Sequence, residues 1–141
     1  MHRVFVYGTL KRGFPNHDAG MKDVRCLGRF RTVEPFPLVV GGTWFSPYLI
    51  DEPGKGMRVF GEIFEIDDDG LAKLDCMEGT HLSNGYSRIS IGIEGANGSF
   101  PFDAWTYVKR RDAIEGIHSE PLDEYLPDPR YVVPANRTCE F

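Results

Sequence analysis

The chain has 141 residues and a formal net charge of −5, with 41% hydrophobic and 26% charged residues. That is the composition of one globular domain rather than a disordered segment, and a chain of this size buries roughly two thirds of the surface its unfolded form exposes. The acidic balance excludes the basic stripe of a nucleic-acid binder, and no apolar run approaches the ~20 residues of a membrane helix.

Sixteen glycines, ten prolines and 13% aromatic residues predict many turns and short strands, not a helical bundle. The first strand spans Arg3 to Tyr7 and stops at Gly8-Thr9, before a turn cluster at Gly13-Phe14-Pro15-Asn16. Leu38 to Val40 is a second strand, Tyr48 to Ile50 a third and Val59 to Ile66 a longer fourth. Asp67-Asp68-Asp69 then offers N-capping carboxylates to a helix over about Gly70 to Met77 that stops near Gly79. Tyr86 to Ile93 alternates, with Ile89, Ile91 and Ile93 on one face and Tyr86, Arg88 and Ser90 on the other. Phe102 to Val108 is the sixth strand, and the prolines at 121, 127, 129 and 134 restrict the C-terminal part of the chain to short pieces. The expected fold class is α+β: a small mixed or antiparallel β-barrel with flanking short helices, in one domain over residues 1–137 with a C-terminal tail at 138–141.

The N-terminus runs into a strand without the features of a signal peptide, and Cys26, Cys76 and Cys139 are too few and too widely spaced for a disulfide framework or a zinc site. A cytoplasmic protein is expected. His2, His17, His81 and His118 show no metal-ligand spacing, so no metal is expected. A Cys76–His81 nucleophile pair lacks an orienting Asp or Asn, and Cys76 lies off the apolar face of its helix.

Two features bear on chemistry. The strand ending in Tyr7-Gly8-Thr9-Leu10 turns so as to present backbone N–H groups, which bind a carboxylate or an oxyanion; the same pattern also serves as a plain tight turn. Leu71, Leu74 and Glu78 fall at i, i+3 and i+7, so the leucines that enter the core carry Glu78 with them. There, burial and the helix macrodipole both raise its pKa, as a general acid/base requires; a frayed last turn would instead bend Glu78 into solvent. Asp75 could face inward and Tyr86 and Arg88 could contact a polar substrate, but all three read more readily as surface or loop groups. The aromatic run Trp44 to Tyr48 reads as packing more readily than as a substrate wall, and Lys109-Arg110-Arg111 as a solvated strand end.

Val4-Phe5-Val6-Tyr7-Gly8-Thr9-Leu10-Lys11-Arg12-Gly13, followed by Pro15-Asn16-His17, resembles the N-terminal signature of the γ-glutamyl cyclotransferase-like (AIG2-like) family. Glu34-Pro35-Phe36-Pro37-Leu38-Val39, Gly61-Glu62-Ile63-Phe64, Leu74-Asp75 through Glu78, Tyr86-Ser87-Arg88, and Arg130-Tyr131 with Pro134 to Arg137 continue the likeness in order. It departs from the family pattern at Gly79 and at the insertion-like Ser83-Asn84-Gly85. The resemblance implies a five- or six-stranded barrel flanked by helices and a cyclotransferase acting on a small-molecule γ-glutamyl amine to give 5-oxoproline. It implies Glu78 as the catalytic acid/base and a substrate-holding loop at Tyr7, Gly8, Thr9 and Leu10, and Tyr86, on the polar face of its strand, is expected to join them in binding substrate. No cofactor, nucleic acid or membrane is implied, and a monomer is expected. The alternatives are a cyclotransferase for γ-glutamyl-α-amino acids and a non-catalytic binding module on the same scaffold.

Overall fold

The computed structural model describes residues 1–99 and 101–137; the expected tail at 138–141, including Cys139, lies outside them. Seven strands and two α-helices follow in chain order: β1 (His2–Val6), α1 (His17–Met21), β2 (Arg25–Thr32), β3 (Leu38–Gly41), β4 (Ser46–Leu49), β5 (Phe60–Ile66), α2 (Asp68–Met77), β6 (Ser87–Gly95) and β7 (Phe102–Val108). Strands β1-β5-β2-β6-β7 close into a barrel, and β3-β4 form a separate two-stranded ribbon. All barrel pairs are antiparallel except the seam between β1 and β7, which is parallel. At that seam the Thr106 hydroxyl donates to the Phe5 carbonyl at 3.0 Å, so a buried polar side chain meets an acceptor that the short ladder leaves open.

Strand alternation sorts the apolar residues into two cores. Phe5, Tyr7, Ile63, Ile91, Ile93 and Val108 belong to the cluster that fills the barrel, joined by Leu38, Val40 and Leu49 of the ribbon. Val4, Val6, Phe64 and Ile66 belong to a second cluster, where Met21 of α1 and Leu71 and Leu74 of α2 cover them. Because adjacent residues of β1 enter different cores, the strand is buried on both faces and ends rigidly at the Tyr7-Gly8 turn.

Strand β2 and helix α1 are not apparent from local sequence patterning. In β2, Arg25, Arg29 and Arg31 interrupt the apolar pattern, and the register slips between Cys26 and Gly28, where Gly28 has φ +117°. The arginines pair with Glu65, Glu124 and Glu94, so the strand is amphipathic through ion pairs that local composition hides. Helix α1 is a single five-residue turn without a side-chain cap. The other predicted elements appear within two or three residues of their expected bounds; α2 begins at Asp68 because Asp67, as N-cap, accepts from the Gly70 N–H at 2.7 Å.

Candidate active site

A cavity of about 900 Å³ opens where β1 ends, bounded by the turn after β1, the end of α2, the start of β6 and the ribbon. Each part arrives by a local device. After β1 the chain turns at Gly8, with Lys11 N–H donating to the Gly8 carbonyl at 3.1 Å and Asn16 N–H to the Thr9 carbonyl at 2.9 Å. A Cβ at Gly8 would sit 2.6 Å from Pro47 Cγ, so only glycine allows β4 to approach this turn. The N–H groups of Gly8, Thr9 and Leu10 meet no protein acceptor among the described residues, and all three residues line the cavity.

Helix α2 delivers Glu78 as its C-cap. Gly79 takes φ +66°, its N–H donates to the Cys76 carbonyl at 3.1 Å, and Thr80 N–H donates to the Asp75 carbonyl at 3.1 Å. This is a Schellman stop, and it fixes the last turn instead of letting it fray. The chain then returns in a tight loop in which Tyr86 N–H donates to the Glu78 carbonyl at 3.0 Å. The departures from the family pattern at Gly79 and Gly85 thus have a structural use: the loop they close sets Tyr86 beside Glu78. Any side chain at Gly85 would collide with the Gly79 carbonyl.

The Glu78 carboxyl is half-buried and lines the cavity. Burial pushes its pKa up to about 7, against a smaller opposing pull from the Lys109 ammonium. Burial, with Glu78 nearby, pushes the Tyr7 and Tyr86 phenols up as well, so both stay neutral hydroxyls. The Tyr7 hydroxyl donates to the Tyr107 carbonyl at 2.8 Å, and the Tyr107 hydroxyl donates to Asp75 Oδ1 at 2.7 Å. Arg88 Nε lies 3.1 Å from the same Asp75 oxygen. Asp75 and Arg88 therefore do not face the cavity; they pin the last turn of α2 to β6 and β7, and so hold Glu78 in place.

The expected residues Tyr7, Gly8, Thr9, Leu10, Glu78 and Tyr86 all line this one cavity. Two expectations from the sequence need correction. Lys109 is not a solvated strand end: its backbone joins the ribbon at Leu49 with an N–H to carbonyl distance of 3.0 Å. Its ammonium lies over the rings of Tyr86 and Tyr48, at 4.9 and 5.2 Å. Trp44, Ser46, Pro47 and Tyr48 form a wall of the cavity, with Tyr48 stacked on Tyr86 at a centroid distance of 5.8 Å, whereas Phe45 packs against the core. Sequence reasoning also missed Asn16, Tyr131 and Arg137 as parts of the site. Asn16 Nδ2 donates to Thr9 Oγ1 at 2.9 Å and to the Tyr131 hydroxyl at 2.8 Å, tying the C-terminal segment to the turn after β1. Asn16 lies inside a turn cluster, and all three lie in segments that carry the family likeness, but nothing in those segments marked them as parts of the site.

The model of the family described as gamma-glutamyl cyclotransferase, AIG2-like, matches residues 4–127. A gamma-glutamylaminecyclotransferase of Bos taurus is 39% identical over 126 residues, covering 86% of this chain and 74% of that one. One of Rattus norvegicus is 44% identical over 107 residues, covering 70% of each chain. The crystal structure of an AIG2-like protein from Mus musculus superposes with a TM-score of 0.79 at 32% identity, covering 97% of this chain and 99% of that one.

Proposed function

The chain belongs to the gamma-glutamyl cyclotransferase, AIG2-like family, and we propose that it is a γ-glutamylamine cyclotransferase in which Glu78 is the sole acid/base. The substrate is a γ-glutamyl amide, such as γ-glutamyl-ε-lysine. Its α-amine attacks its own γ-carbonyl, the new C–N bond closes the five-membered ring, and the old C–N bond breaks to release 5-oxoproline and a free amine. The substrate brings its own nucleophile, so the enzyme's tasks are alignment, charge stabilisation and proton transfer. Well-aligned intramolecular reactions reach effective molarities of about 10⁵–10⁸ M.

The observation that carries this reading is the convergence of Glu78 with the open N–H groups of Gly8, Thr9 and Leu10 on one cavity. The N–H groups suit the α-carboxylate or the oxyanion of the tetrahedral intermediate. With its pKa raised to about 7, the Glu78 carboxylate takes the proton of the attacking amine and then gives it to the departing nitrogen. Neutral Tyr7 and Tyr86, whose hydroxyls donate to the Tyr107 and Pro47 carbonyls, line the site without adding negative charge beside it. Incubation with γ-glutamyl-ε-lysine is expected to give 5-oxoproline and lysine in equal amounts by mass spectrometry. Substrate binding without 5-oxoproline would instead favour the non-catalytic module.

A further inference from the structure

Nine of the eleven arginines lie within ion-pair distance of a carboxylate. Arg137 does not, among the described residues, although it lines the cavity. Its Nε donates to the Val132 carbonyl at 3.0 Å and its Nη2 to the Tyr131 hydroxyl at 3.2 Å, while Trp44 and Tyr131 flank the guanidinium at 5.8 and 5.6 Å. The group is thus held in place, with no carboxylate among the described residues to compensate its charge. Glu115 lines the same cavity, also without a cationic partner among the described residues, and accepts only from Thr43 Oγ1 at 3.3 Å. The segment bearing it is fixed to the ribbon turn by Gly42 N–H donating to the Gly116 carbonyl at 2.9 Å. In that turn Phe45 holds φ +52°, supported by His118 packed at 4.6 Å and Arg130 over its ring at 4.9 Å.

The Tyr48 phenol feels both Arg137 and Glu115, whereas the Glu78 carboxyl feels Lys109. Tyr86, stacked on Tyr48, feels Glu78, and the Lys109 ammonium lies over both rings. The cavity lining therefore holds Glu78, two stacked aromatic rings and, at a mouth marked by the exposed Glu115, one cation and one anion without an ion-pair partner among the described residues. We propose that this mouth is a leaving-group subsite for an amine that ends in an amino-acid head, its carboxylate on Arg137 and its ammonium on Glu115, with the methylene chain along Tyr86 and Tyr48. A simple alkylamine would leave both charges unused, and a carboxylate that pairs bidentately with a guanidinium gains geometric as well as electrostatic selectivity. This inference rests on the activity proposed above.

The test compares kcat/KM for three substrates with equal methylene chains: γ-glutamyl-ε-lysine, γ-glutamyl-6-aminohexanoate, which lacks the α-amine, and γ-glutamyl-pentylamine, which lacks both head groups. The wild type is expected to prefer the lysine compound. Arg137→Gln should lower the lysine-to-pentylamine ratio by roughly tenfold, as loss of a charge-assisted hydrogen bond does, and Arg137→Lys should restore part of it. Glu115→Gln should lower the lysine-to-aminohexanoate ratio by about threefold, as befits an exposed pair, and leave the aminohexanoate-to-pentylamine ratio unchanged. Turnover of all three compounds with ratios unmoved by either substitution overturns the subsite and leaves the activity standing; a uniform loss across the three makes Arg137 a brace for the segment at 131–137 and overturns the subsite as well. Failure of the wild type to release 5-oxoproline from any of them overturns both the activity and the subsite.

Discussion

A carboxylate at a helix C-terminus faces the negative end of the macrodipole, and Glu78 adds burial to that disadvantage. Burial pushes its pKa up to about 7, and the macrodipole acts in the same direction. The reactive carboxylate population thus grows as pH rises through about 7, so kcat/KM should rise through an acidic limb in that range. Lys109 opposes the shift by favouring the charged form. Lys109→Met should therefore move the acidic limb to higher pH, and a limb that stays in place would remove Lys109 from the electrostatics of Glu78. The spacing of Leu71, Leu74 and Glu78 offered the inward direction from the sequence but left a frayed last turn open, and the Gly79 stop decides between the two. Lys109 was not legible in this way: in a run of three basic residues nothing local distinguishes the one whose strand end is stitched to the ribbon.

Helix α2 works as a holder whose two ends are specified separately. Asp67 caps the start, and the Gly79 turn fixes the stop from which Glu78 projects. Gly79→Ala places a β-carbon in the left-handed region and 3.3 Å from Leu82 Cδ1, which should cost about 1–2 kcal/mol in chemical denaturation. Because the same turn sets Tyr86 against the Glu78 carbonyl, turnover of the folded variant should fall as well; stability loss with full turnover would separate the stop from the site. The helix and its cap were readable because propensity, capping and apolar spacing agree over ten residues. Strand β2 was not, since its pattern becomes coherent only when Glu65, Glu94 and Glu124 arrive from distant segments.

The closed barrel gives these parts a rigid base, with β1 buried on both faces behind the Gly8–Leu10 turn. The ribbon and the segment at 131–137 supply the outer walls, and their contacts with the barrel span most of the chain length, as in Asn16 with Tyr131. Such long-range walls are what sequence patterning leaves out, and they hold Tyr48 and Arg137, two of the four residues proposed to receive the leaving amine. The inner end of the cavity, by contrast, was legible because its two parts lie on short, strongly patterned segments. The proposed mechanism concentrates the chemistry of that inner end on a single side chain, and kcat/KM of Glu78→Gln is the decisive quantity. The substitution keeps the shape and removes the proton acceptor, and its fold can be checked by melting: loss of a carboxyl with a raised pKa should increase stability above pH 7, where the wild type must hold a half-buried charge. General acid–base catalysis contributes roughly 10²–10⁴-fold, so a folded Glu78→Gln protein is expected to turn over γ-glutamyl-ε-lysine at no more than about 1% of the wild-type rate, whereas retention of more than about 10% would contradict the role of Glu78 as the acid/base.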